Sequence, residues 1–337
     1  MTSLAASPET NDVAAVARGE EFRVRSTHAL PTGVDRELSR LSPLRATASV
    51  LFDFGIIAGL ACIAVSWPRV WVVLPAIGLM GAVQHGLAIL SHQAAHYRLY
   101  ETRWVNDLVG KLCAVPLGLS LITYRVLHRT HHNHLYTPID PDLALIADYP
   151  RGRAYLLGKL LKDLSGLTLW KAYGYFFGKP VTKKGSASSL RIDDDTSPAL
   201  KKKAKRDQVL VVVIQLCALG LSIGFGFWRW YLLLWLLPLV TVLQALLRLR
   251  AVLEHGAVDD VTDVRRAART THASFLTRFV LYPHNMNFHI EHHLYPSVPH
   301  YNLPECHRVL VEAGALDGAE VQSTVSRSFR KIFAPAA

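Results

Sequence analysis

Charge is scarce in this chain: Asp, Glu, Lys and Arg make up 19% of its 337 residues, where soluble domains carry about 25%. With half the residues apolar and a mean hydropathy of +0.20, that shortage disfavours a freely soluble enzyme. Cysteine is scarce too. Cys62, Cys113, Cys217 and Cys306 stand singly with no CxxC pair, which argues against a disulfide scaffold and against an iron–sulfur ligand set. No GxGxxG loop flanked by strand-like sequence is present, so no dinucleotide-binding domain is expected. The N-terminal stretch has no basic segment leading into an apolar one, unlike a cleaved secretion signal. Acids are outnumbered, 26 against 37 Lys and Arg, giving a net charge of +11 and a pI near 9.6. In so apolar a chain, that surplus points first to anionic lipid headgroups and not to nucleic acid.

What is plentiful is long apolar sequence. Residues 49–67, 70–90, 208–228 and 230–247 each match the length, about 20 residues, that a helix needs to cross a bilayer. They form two hairpins, joined by Pro68–Arg69 and by Arg229. The expected architecture is an all-α integral membrane protein with four spans. Residues 1–48 form a polar N-terminal arm, 49–310 the membrane domain and 311–337 a C-terminal tail. The joining turns are so short that both termini and the stretch 91–207 fall on one side. Lys201, Lys202, Lys203, Lys205 and Arg206 precede the third run, and Arg98 and Arg103 follow the second. The positive-inside rule puts that side in the cytoplasm. Residues 108–122 and 155–177 read as elements lying on or dipping into the cytoplasmic leaflet, part of a helical cap. The Ser- and Asp-rich stretch 181–197 is the best linker candidate.

Histidine is the unusual entry in the composition, with 16 residues, most of them clustered. SHQAAH places His92 and His96 four apart just beyond the second run, on one face if the helix continues. HRTHH supplies His128, His131 and His132, and HIEHH repeats that spacing as His289, His292 and His293. Crowding imidazoles onto one turn gains nothing for helix stability, so the repeated triplet points to metal binding. Imidazole suits zinc, copper, iron and nickel, while a shell poor in carboxylates argues against calcium and magnesium. Eight nitrogens exceed what one ion accepts, so the count favours two ions in one site. No HExxH occurs, which argues against a zinc metalloprotease.

HxxxH, HxxHH and a distant HxxHH set around two membrane hairpins resemble the membrane-bound fatty acid desaturase and hydroxylase superfamily. The resemblance covers roughly residues 49–310. LEHG, residues 253–256, resembles the additional histidine position of bacterial members, which makes His255 a ninth expected ligand. From the resemblance, and not from spacing, the metal is expected to be a non-haem pair of iron ions with O2 as co-substrate. The implied reaction is desaturation of an unactivated position on a fatty acyl or other lipid chain. The alternative within the same chemistry is a carotenoid or terpenoid hydroxylase or ketolase; a histidine-rich metal transporter or sensor is the alternative from another class. A transporter should place ionisable ligands inside its spans, yet only Asp53 and His85 lie within the runs.

Ligating histidines usually pass their second N–H to a carboxylate or carbonyl. Asp140, Asp142, Glu254, Glu291 and Asn285, with Asn287, are the candidates for that supporting role. His85 reads as a hydrogen-bonded interior residue and His28 as a solvated one. His134, His272, His284, His300 and His307 lie near the boxes and are read as orienting ligands or pairing with carboxylates. The chain offers no route for electrons, so the donor is expected to be external, of ferredoxin or rubredoxin type with a reductase. The expected location is a bacterial inner membrane with the site on its cytoplasmic side.

Overall fold

Serine caps start the long helices where the sequence supplies them. A computed structural model of the chain describes residues 30, 33–176 and 197–335. In it, Ser42 accepts the Arg45 N–H ahead of Pro43, and Ser197 accepts the Leu200 N–H ahead of Pro198. Such a pair satisfies one free amide at a helix start and removes another. The helices that follow, Pro43–Ser66 and Pro198–Gly224, are the first and third of four long and apolar enough to cross a membrane. The second and fourth are Val70–Ala95 and Trp228–His255. His28 and residues 181–196 of the expected linker lie outside the described residues.

Both hairpins are present, but two spans outrun their apolar sequence. The second continues beyond residue 90 to Ala95, and the fourth beyond 247 to His255. Polar residues extend these helices because they find partners inside the protein. Ser91 donates to the Leu87 carbonyl, Gln93 accepts the His300 N–H, and Arg248 pairs with Asp163. The fourth span is also irregular, with a widened turn over Tyr231–Leu236 and a break at Thr241. Pro238 accounts for it by withholding an amide from the helical ladder.

The second span is the hub. Its most apolar window is 67% buried, against 17% for the first and third spans and 33% for the fourth. The first and third turn much of their surface outward, with Leu51, Phe52, Val65, Leu216 and Ile223 exposed, a surface that suits lipid. Small residues let neighbours approach the hub closely. A Cβ on Gly81 would lie 2.4 Å from Val242 Cγ1 of the fourth span, and one on Gly110 2.4 Å from the Ala94 Cβ.

The stretch expected at 108–122 is part of a bent pair, Arg103–Leu117 and Leu121–Asn133, whose axes meet at 97°. Gly118, at φ 72°, makes the turn, and Ser120 caps the second arm. Buried Asp207 at the base of the third span accepts from Ser120 Oγ at 2.9 Å and the Ile122 N–H at 3.1 Å, and meets Lys111 at 2.8 Å. The stretch expected at 155–177 is two helices, Gly152–Leu164 and Leu169–Phe176. Near the C-terminus, Thr270–Thr271 pairs in parallel with Val321–Gln322. Fully buried Arg269 clamps this pairing, donating to Glu320 at 2.9 Å and to the carbonyls of Leu253 and Ala257.

Candidate metal centre

Four separate elements deliver the histidines to one place. His92 and His96 stand at the C-terminal end of the second span, one turn apart. His128, His131 and His132 lie on the arm Leu121–Asn133, aimed by the bend at Gly118. His255 is the last residue of the fourth span, and His289, His292 and His293 occupy the short helix His289–Leu294. The extension of the second and fourth spans past their apolar sequence is therefore what brings His92 and His255 into the site.

The nine imidazoles form two adjoining groups. In the first, His92, His96, His128, His132 and His292 place nitrogens within 4.8 Å of one another. His132 Nε2 lies 2.9 Å from His128 Nε2 and 3.0 Å from His292 Nε2. In the second, His131, His255 and His293 meet the same limit. His289 joins them, its Nε2 2.8 Å from His255 Nε2 and 3.2 Å from His293 Nε2. The groups touch where the rings of His132 and His293 stack at 4.2 Å. Each triplet is thus divided: the two residues four apart go to one group and the remaining one to the other.

This donor set fits metal ions. Buried polar atoms are normally hydrogen-bonded, yet both nitrogens of His92 and Nε2 of His96 are buried with no partner among the described residues. Elsewhere Nε2 faces Nε2. His255 shows the direction: its Nδ1 donates to the Ala267 carbonyl at 3.0 Å, so its Nε2 presents a lone pair toward His289 Nε2. Lone pairs converging from several sides want a cation between them.

Protonation follows the same geometry. Burial, then neighbouring imidazoles, pushes His128, His132, His292 and His293 well below the ordinary histidine value, leaving them neutral. His131 differs. Burial opposes its charge, but Asp140 against its Nδ1, joined by Asp142, outweighs burial and raises it to about 9. Asp140 Oδ1 is 2.9 Å from His131 Nδ1, and its other oxygen accepts the Tyr136 N–H.

Other supporting candidates sit at varied distances. Asp142 is 3.6 Å from His131, and Glu254 is 3.5 Å from His289 Nε2. Glu291 turns instead to His307 at 2.6 Å and Thr270 at 2.6 Å, and Asn285 donates to the His300 carbonyl. Asn287 donates to the Thr271 carbonyl. His85 bonds the Val280 carbonyl, His284 pairs with Asp53 at 2.8 Å, and His300 contacts Ser49. His272 packs edge-on against His307, and the carbonyl of His134 accepts from Thr137. Beside the second span, Phe52, Asp53, Val83, Phe275 and His284 line a mostly apolar cavity of about 330 Å³, and Phe52 and Phe275 on its wall are exposed.

Sequence reasoning passed over several neighbours of the cluster. Tyr124 stacks on His128 at 5.3 Å, the Tyr136 hydroxyl donates to the His255 carbonyl, and Arg250 pairs with Glu254 at 2.8 Å. Arg250 carried a readable signal, since a cation entering an apolar helix needs a partner, and Glu254 follows four residues later.

Fold and site together define a membrane-inserted helical protein whose buried imidazoles can hold metal ions. The chain belongs to the fatty acid desaturase family, whose model matches residues 66–324. It is 26% identical over 292 residues to dihydrorhizobitoxine desaturase of Bradyrhizobium elkanii, covering 83% of this chain and 79% of the relative. It is 23% identical over 296 residues to an sn-1 oleoyl-lipid 12-desaturase of Picosynechococcus, covering 80% and 77%. To an sn-1 acyl-lipid omega-3 desaturase (ferredoxin) of Nostoc it is 26% identical over 274 residues, covering 76% and 73%. The protein is a desaturase-like membrane oxidoreductase acting in lipid metabolism.

Proposed function

We propose that the nine imidazoles hold two iron ions and that the enzyme uses O2 to introduce a double bond into a fatty acyl or other lipid chain. The observation that carries this is the division of nine imidazoles, seven buried and two half-buried, into adjoining groups of five and four, in a chain of the desaturase family. His92, His96, His128, His132 and His292 would hold one ion, and His131, His255, His289 and His293 the other. Iron supplies, when bound, the redox chemistry on O2 that attacks an unactivated C–H bond, which no side chain provides.

The protein's own part is orientation and exclusion. Asp140 and the Ala267 carbonyl accept hydrogen bonds from Nδ1–H of His131 and His255, leaving each Nε2 for a metal ion. Burial keeps stray water from the reacting carbon. The cavity at Phe52 and Phe275 offers an apolar tail a lateral way in from the bilayer. Its wall residue Gly86 lies six residues before His92, about 9 Å along the helix. Electrons come from an external carrier of ferredoxin or rubredoxin type with its reductase, and the basic stretches Arg98–Arg103 and Lys201–Arg206 suit a small acidic one. The site faces the cytoplasm of a bacterial inner membrane, on the positive-inside argument.

Proteoliposomes containing the enzyme, candidate lipids, ferredoxin, reductase and NADPH test this. The expected result is an O2-dependent product with a new double bond and about two irons per chain. An oxygenated product would favour the hydroxylase or ketolase reading. Full activity without any carrier would overturn the external donor.

A further inference from the structure

Nine imidazoles bring no negative charge to a site that is to hold two divalent ions in a buried, low-dielectric place. Uncompensated charge there is expensive. The two groups are also unequal, five donors against four. Glu254 lies on the side that is short. Its side chain is 1% exposed, and its Oε2 is 3.5 Å from His289 Nε2. Arg250 Nε holds that same oxygen at 2.8 Å, while Oε1 is buried with no hydrogen-bond partner among the described residues. Donors bound about 2.1 Å from one ion stand about 3 Å apart when adjacent in an octahedron, close to the 2.8, 3.2 and 3.5 Å that His289 Nε2 makes with His255, His293 and Glu254.

We propose that Glu254 is a carboxylate ligand of the ion held by His131, His255, His289 and His293, completing a set of five donors. This rests on the two-ion reading above. A mere ion pair with Arg250 occupies one oxygen and leaves the other orphaned in the interior, which native structures avoid. As a ligand, Glu254 would have a use for both: Oε2, steadied by Arg250, stands beside His289, and Oε1 is left with lone pairs to give to a cation. Position favours it as well, since Glu254 and His255 are the last two residues of one helix and are carried to the site together.

Cobalt(II) titration of the full-length protein in detergent tests this without turnover. Wild type is expected to take two equivalents. In Glu254→Gln, which keeps a hydrogen-bond acceptor for Arg250, and in Glu254→Ala, one equivalent binds as before. The second weakens by at least about 100-fold, and its ligand-field spectrum reports one donor fewer. Retention of the first equivalent by the five-imidazole group serves as the control for folding. Two equivalents bound by both variants with wild-type affinity, or a weakened second cobalt whose spectrum keeps its coordination number, would overturn the ligand role and leave the two-ion reading standing. A wild-type protein that takes fewer than two equivalents would overturn both.

Discussion

Burying an imidazole is tolerable only if its two nitrogens have somewhere to go, and the nine at this site solve the problem in different ways. His131 bonds Asp140 through Nδ1 and His255 a backbone carbonyl, while His92 has both nitrogens unpartnered among the described residues. His131→Ala or His292→Ala is expected to lower product formation at least about 100-fold and to reduce bound iron. Membrane insertion should be unaffected, because it rests on the apolar spans. Near wild-type product from either variant would refute the ligand assignment. His131 also sets a pH dependence. In the metal-free protein it is held at about 9 against an ordinary 6.5. A raised value favours the protonated folded state, so this contribution is whole below about 6.5 and is lost as pH rises through 9. Thermal scans of metal-free protein should show stability declining across that window, and Asp140→Asn should flatten the decline. A wild-type midpoint constant from pH 6.5 to 9 would contradict the pairing.

At the scale of elements, the histidine-bearing helices are positioned by small residues and by bends. Gly110 allows the helix Arg103–Ala114 to press against Ala94, beside the first histidine pair. Gly110→Leu should force these helices apart, at a cost of about 1–3 kcal/mol, and lower the yield of folded, metal-binding protein, as size-exclusion profiles and metal content would show. The four spans were legible because each is close to a bilayer's thickness in uninterrupted apolar sequence. Their ends were not. Hydropathy stops at residues 90 and 247, whereas the helices continue as long as their polar residues have partners: Gln93 and Arg248 find theirs in segments distant in sequence, and Arg250 finds Glu254 one turn further along the same helix. The bend at Gly118 was hidden likewise, because a short apolar stretch with one proline does not reveal its direction.

Across the whole molecule, Arg269 ties the C-terminal segment to the end of the fourth span through Glu320, Leu253 and Ala257. Arg269→Ala leaves Glu320 with only Lys331 and Gln322 as side-chain partners among the described residues. Breaking a buried pair costs about 3–5 kcal/mol, so this variant should melt earlier and lose metal from the His255 group first, read by metal content during heating. Orientation is testable on the same scale: accessibility labels at Gly226 and Ser165 should report opposite sides of the membrane. Labels reporting one side would overturn the cytoplasmic placement of the site.

The sequence by itself determined the membrane setting and the identity of the imidazoles, because apolar run length and recurrence at three and four residues are local properties of a chain. It also pointed to two ions through sheer number of nitrogens. Only the tertiary structure decided how those nitrogens divide: His128 and His132 join His92, His96 and His292, while His131 joins His255, His289 and His293. A helix turns about 100° per residue, so neighbours within one triplet face different ways, and which partners they meet depends on how separate helices cross.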